Sequence, residues 1–215
     1  RNGKSISQQD IQEAIEKVLT GPERKSHVVS PDEKVIIAYR EAGHAIVRRS
    51  LPNCDPVHKI SIVTRGTSEG YVMRLPDEDR TLMHKSKFED EIAARMGGRA
   101  AEELIFGDVT TGVRDDLDRA TKAARAMVTQ YGMSDRLGPI TFGEKDELVF
   151  LGREIGEQRN YSEAVAEKID REVQRIVNEA YSRARSILIA QRATLDRLAN
   201  LLLERETVDA QDCIR

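Results

Sequence analysis

Glu41 and His44 stand three residues apart in Tyr39-Arg40-Glu41-Ala42-Gly43-His44-Ala45, and among the side chains of this chain they are the pair best suited to chemistry. Residues four apart on a helix lie one turn above each other. A His-Glu-x-x-His pattern therefore lets two imidazoles converge on one zinc ion while the carboxylate takes a proton from metal-bound water. His44 fills the second imidazole position and Glu41 the carboxylate position, but Arg40 stands where the first histidine would be. A guanidinium stays protonated and has no lone pair to give a metal. Spacing alone leaves two readings open, a metal centre short of one ligand or an ordinary helical contact between Glu41 and His44. The spacing by itself is a weak signal for metal; the apolar surroundings and Gly43, which lets another segment come close, add to it without deciding between the two.

The elements that must position these residues follow from capping and periodicity. Ser30-Pro31-Asp32-Glu33 combines a capping residue, a proline suited to the first helical position and a glutamate able to reach back. A helix is predicted from there to about Ser50, ending before Pro52. Val57–Val63 alternates and is rich in β-branched residues, so it reads as a strand, with Tyr71–Leu75 returning after a glycine turn. Ser86 and Glu89 have capping-box spacing and open a helix to Gly107, with Gly97-Gly98 marking tight packing. Asp115 or Asp116 opens the next helix, which stops near Gly132. Gly138–Gly156 reads as loop. Asn160 and Glu163 open the longest helix, and a shorter one spans about Thr194–Glu204. Ser7 and Asp10 suggest a further helix ending at Gly21-Pro22, either part of this domain or the last helix of a preceding one. The fold class expected is mainly α, of the α+β type, with a small sheet near residues 57–75.

Composition agrees. Aromatics are 4% of the 215 residues and tryptophan is absent, so the core must come from alanine and aliphatic side chains. The net charge of −3, with basic and acidic residues interleaved, argues against nucleic acid as a partner. Cys54 and Cys213 are far apart and form no CxxC, which supports neither a disulfide framework nor a thiolate zinc knuckle. No stretch approaches the roughly 20 apolar residues that cross a bilayer, so this stretch is expected to be soluble. The start, Arg1-Asn2-Gly3-Lys4, reads as an internal cut in a longer protein.

Several separate motifs carry a resemblance. Ala38–Ala45 resembles the metal-binding helix of the FtsH family of membrane-anchored, ATP-dependent zinc metalloproteases. Gly21-Pro22-Glu23-Arg24-Lys25 is similar to the family's linker, and Gly97–Leu104, Thr110–Leu117 and Tyr131–Ser134 resemble three further signatures. Leu203–Thr207 is like its C-terminal helix end. The resemblance divides the chain into the end of an AAA+ ATPase lid (1–20), a linker (21–29), a zinc metallopeptidase domain (30–210) and a tail (211–215). It implies hydrolysis of unfolded and membrane proteins, with Glu41 as catalytic base and with His44 and Asp116 as metal ligands beside the missing histidine. One zinc per subunit is implied, with ATP and magnesium in an upstream domain; no GxxxxGK[ST] occurs here. A homohexamer is implied, with the peptidase domain on the cytoplasmic side or its organellar equivalent. The edge of the sheet within Val57–Leu75, with His58, is the expected substrate-binding strand.

The residues themselves leave alternatives. Asp115 and Asp116 also suit ordinary helix capping, and Glu102 and Glu103 are rival carboxylates. His27 and His84 read as loop histidines. Arg40 leaves His44 and Asp116 short of the three protein ligands typical of catalytic zinc. Weak or absent zinc binding is the expectation, with Arg40 pairing with Glu41 or Asp116 or swinging away. The alternative function is a family member that keeps the fold for a chaperone or assembly role.

Overall fold

A computed structural model describes residues 29–64, 69–74, 82–143 and 160–209, together with Ala14 and Val18. The readings of 1–20, the linker 21–29 apart from its last residue, His27, Leu75, Cys213 and the tail 211–215 lie outside the described residues, the helical Ala14 and Val18 excepted. The described chain is mainly helical with one small antiparallel sheet.

Helix α1 spans Pro31–Ser50 and starts as its sequence dictates. The Ser30 hydroxyl accepts from the Glu33 amide at 3.3 Å, and the Glu33 carboxylate accepts from the Ser30 amide at 3.1 Å. That reciprocal box satisfies two amides the helix cannot pair internally. Leu51 is extended ahead of Pro52, which ends the helix. Strands β1 (Val57–Ser61) and β2 (Tyr71–Arg74) then pair antiparallel, with Ile60 opposite Val72. Helix α2 spans Lys85–Phe106, and Gly107 closes it at φ 69°. A short 3-10 turn, Thr111–Val113, leads into α3, Arg114–Thr129. Helices α4 (Glu163–Ala190) and α5 (Arg192–Arg205) follow, and β3 (Thr207–Asp209) completes the sheet.

Three local expectations are corrected. The start of α2 is His84, not Ser86, and His84 makes no side-chain cap; Ser86 and Glu89 lie inside the first turns. Neither Asp115 nor Asp116 caps α3; both lie in its first turn, behind Arg114. Asn160 does not cap α4, which Ser162 precedes; its side chain instead accepts from the Gly143 amide at 2.8 Å. The sheet has a strand that local periodicity did not announce. Its order is β2-β1-β3, so β1 is the inner strand and Ile60 faces Val208 as well as Val72.

Helix α2 is the centre of the fold, packed against α1, α3 and α4, with α5 against α1. Small residues make this possible. Ala93, Ala100 and Ala101 on α2 and Ala38 and Ala42 on α1 are fully buried. Gly43 and Gly97 meet at the crossing, where a methyl group on Gly43 would stand 2.6 Å from the Gly97 carbonyl oxygen. Gly97, Ala100 and Ala101 thus serve helix packing within the chain. Larger side chains (Ile60, Ile92, Met96, Met127, Ile169, Leu195 and Leu202) fill the space around this spine.

Candidate metal centre and cleft

Close approach of α1 to α2 sets His44 against the α2 backbone. Its Nδ1 lies 3.0 Å from the Ala94 carbonyl oxygen, a contact only a protonated Nδ1 can make. Nε2 is then left to face the first turn of α3, where Asp116 Oδ2 stands 3.1 Å away. The structure thus brings together the two residues read as ligands. Asp115 lines the same cleft, but His44 is joined to Asp116.

Charge and burial compete in this pair. Burial alone would lower the pKa of His44, but the Asp116 carboxylate, with help from Glu41, overrides it and lifts the imidazole to about 8. Burial pushes Asp116 up, but the charge and hydrogen bond of His44 outweigh it and hold the carboxyl below its ordinary value. At neutral pH the two form an ion pair. Glu41 behaves differently: burial pushes its carboxyl up more than His44 and Arg40 pull it down.

A titration follows. The raised His44 pKa contributes stability that is full below the ordinary imidazole value near ~6.5 and lost as pH rises through about 8. The depressed Asp116 pKa contributes stability present above ~4 and lost on acidification. In the metal-free chain the His44 ring resonances are expected to titrate near 8. In Asp116→Asn, where burial remains and the anion is gone, the midpoint falls to ~6.5 or lower. An unchanged midpoint would remove Asp116 as the cause.

Arg40 is buried in the same place, 5% exposed. Its guanidinium donates from Nε to Glu41 Oε1 at 3.3 Å and from Nη2 to Glu69 Oε2 at 3.5 Å, while Nη1 lies 3.8 Å from Glu102 Oε1. Of the partners expected for Arg40, Glu41 is taken and Asp116 is left to His44. Two glycines make room. A methyl group on Gly98 would strike the His44 ring and come within 2.7 Å of Arg40 Cγ, and one on Gly112 would collide with Arg40 Nη1. Gly112 is held by the Thr110 hydroxyl, and Thr110 donates its amide to Glu102 at 2.7 Å.

Glu102, read as a rival ligand, is therefore engaged elsewhere: fully buried, it ties down the loop before α3 and faces Arg40. Glu103 sits nearer the surface, 4.0 Å from Arg99. His58 is on β1, the inner strand, and is not among the described residues lining the cleft. The strand that lines it is β2, through Tyr71, Val72 and Arg74. Of the segment Val57–Leu75 read as a substrate-binding edge, Tyr71, Val72 and Arg74 line the cleft. His84 is exposed at the start of α2. Sequence reasoning missed Glu69 and Gly112 as neighbours of Arg40. The Thr110-Thr111-Gly112 motif was noted, but nothing local ties it to residue 40.

A helical domain whose first helix carries Glu41 and His44 opposite an aspartate at the head of α3 has the ground plan of a zinc-peptidase domain. The sequence profile of peptidase family M41 matches residues 27–215, and the chain belongs to that family. It is 54% identical over 212 residues to ATP-dependent zinc metalloprotease FtsH 1 of Sphaerobacter thermophilus, covering 99% of this chain and 32% of that protein. It is 53% identical over 212 residues to FtsH 1 of Thermomicrobium roseum, again covering 99% and 32%. With ATP-dependent zinc metalloprotease FtsH of Pseudothermotoga lettingae the identity is 53% over 214 residues, covering 99% and 34%. The chain spans about one third of the length of the curated relatives it matches.

The zinc these names imply does not fit the side chains present. His44 and Asp116 supply two ligand-type side chains, and a fixed cation occupies the position of the first ligand. Among the described residues no group of three or more His, Cys, Asp or Glu side chains is disposed to hold a metal ion. A divalent ion about 4 Å from a guanidinium would meet a repulsion of about 8 kcal/mol at an effective dielectric of about 20, before the neighbouring carboxylates offset it.

Proposed function

We propose that this chain carries the peptidase domain of an ATP-dependent zinc endopeptidase acting on unfolded and membrane proteins, and that hydrolysis in it is lost or impaired by Arg40. The observation that carries this reading is the seating of Arg40 among Glu41, Glu69 and Glu102, directly beside the His44–Asp116 pair. Glu41, the residue that would serve as base, is a partner of that guanidinium. Residues 1–20 close an ATPase lid, the peptidase domain occupies 30–210, and the whole protein is a membrane-anchored homohexamer driven by ATP. Among the described residues no helix is long and apolar enough to cross a membrane.

A second reading, a subunit kept for chaperone or assembly work, is favoured by the fit of the substitution. The glycines at 98 and 112 leave the guanidinium a place, and three carboxylates answer it.

Elemental analysis tests the loss of zinc. The unaltered chain is expected to hold far less than one zinc per chain after exposure to excess metal and desalting, and Arg40→His to approach one. Stoichiometric zinc in the unaltered chain would overturn the proposal. Casein cleavage in the full-length, ATP-supplied protein separates the readings further: Arg40→His restores it if only the ligand is missing, and no recovery favours the assembly role.

A further inference from the structure

The cleft beside the His44–Asp116 pair encloses about 610 Å³ and is lined by more arginines than its own carboxylates satisfy. Arg40 is matched by Glu41 and Glu69, and Arg48 and Arg74 by Glu91. Arg95 and Arg119 line the same cleft but make no ion pair with a carboxylate among the described residues.

Their placement is regular. Arg95 follows Ala94, whose carbonyl oxygen meets His44, and Arg119 is three residues beyond Asp116 on α3. Arg119 is thus about one helical turn, at most ~5.4 Å along the axis, from Asp116, and Arg95 adjoins the residue on which His44 is anchored. Arg95 is also placed against its own electrostatic interest. Burial, then Arg74 and, more weakly, Arg119 oppose its charge, and the pull of Glu91 and Asp116 does not balance them. Glu91 is already shared by two other arginines. Of Arg74, Arg95 and Arg119, Arg74 alone has a direct carboxylate partner among the described residues, in Glu91, while Asp115 and Asp116 share the cleft; an incoming anion would add the direct partner that Arg95 and Arg119 lack, at little cost in reorganisation.

We propose that the wall formed by Arg74, Arg95 and Arg119 is a subsite for a carboxylate of a bound polypeptide, so that the cleft prefers segments carrying aspartate or glutamate. The occupant is a polypeptide because the strand beside these arginines is β2, whose Tyr71, Val72 and Arg74 line the cleft and whose direction an extended segment would follow. The side chains of an extended segment alternate, so every second residue turns toward the α2–α3 wall. The inference rests on the reading of this cleft as a peptide-binding one.

Fluorescence anisotropy with two labelled extended peptides, one carrying glutamates at alternate positions and a twin carrying glutamines, tests it on the chain as it stands. The acidic peptide is expected to bind about tenfold or more tightly than its twin in low salt, with the margin shrinking as salt is added. In Arg119→Gln, on the exposed side of α3, and in Arg95→Gln the margin falls to about twofold or less. Arg95→Gln is also expected to melt no lower than the parent, since it removes a repelled cation; a residue held for the fold would show a drop. Equal binding of the twins would overturn the carboxylate subsite while leaving the peptide cleft standing. Failure of both peptides to bind would overturn the subsite and the cleft reading together. A preference that persists in both variants would place the recognition elsewhere and equally overturn the proposal.

Discussion

Glu91→Ala is expected to destabilise the domain by about 3 to 5 kcal/mol, the range for breaking a buried ion pair from one side. Glu91 is 8% exposed and takes both arms of Arg48, Nη1 at 2.8 Å and Nη2 at 3.1 Å, together with Arg74 Nη1 at 2.8 Å. The three residues belong to α2, α1 and β2, so one carboxylate clasps α1 and α2 to the strand that lines the cleft. Removing it strands two cations, one of them buried, beside Arg95. Burial would raise the Glu91 pKa, but the hydrogen bonds and charge of Arg48, with the charge of Arg74, hold it below its ordinary value. The contribution is therefore full above ~4.5 and lost as pH falls through the lower folded value. Urea melts at pH 7 and pH 3.5 check this: the gap between parent and variant is wide at the first and narrower at the second. Adding Arg48→Met to Glu91→Ala should recover part of the loss, because an apolar side chain needs no counter-charge. A gap that does not change with pH would remove the charge argument.

Gly43→Ala is the second large effect. The new methyl carbon would stand 2.6 Å from both the Ala101 methyl carbon and the Gly97 carbonyl oxygen. One obstacle is backbone and the other a side chain with no rotamer to change, so α1 and α2 must part. Overpacking of this kind costs about 1 to 3 kcal/mol and occasionally more. The better helix propensity of alanine returns at most ~1. Because His44 adjoins Gly43 and is anchored on the α2 backbone at Ala94, the shift should also loosen its pairing with Asp116. The expected result is a lower melting temperature together with a His44 midpoint below the parent's value of about 8. A variant as stable as the parent would mean that the helix crossing is slack.

Much of this was legible in the chain, for identifiable reasons. The start of α1 is written into four consecutive residues, Ser30 to Glu33, because a capping box is local. The helix crossing was legible because only glycine tolerates backbone at such range, and Gly43, Gly97 and Gly98 all proved to be contact points. The facing of His44 and Asp116, 72 positions apart, came from the family resemblance, not from periodicity. What escaped was non-local. β3 is three residues long and pairs across nearly 150 positions, too short for any periodic signal. The carboxylates around Arg40 come from β2's approach and from α2, and no spacing rule joins residues 69 and 102 to residue 40. The start of α2 was misplaced because Ser86 and Glu89 carry a capping pattern inside a helix that begins without one.

The position of β3 bears on how the domain is made. Residues 207–209 are the outer partner of β1, and β1 is what holds β2 beside the cleft. A ribosome delivers those residues after every helix described here, so β1, the strand that holds β2 beside the cleft, lacks its outer partner until residues 207–209 have emerged. Helices built from nearby residues can form early, whereas the long-range closure of a sheet comes late. The strand that lines the cleft is thus among the last parts of its own chain to settle.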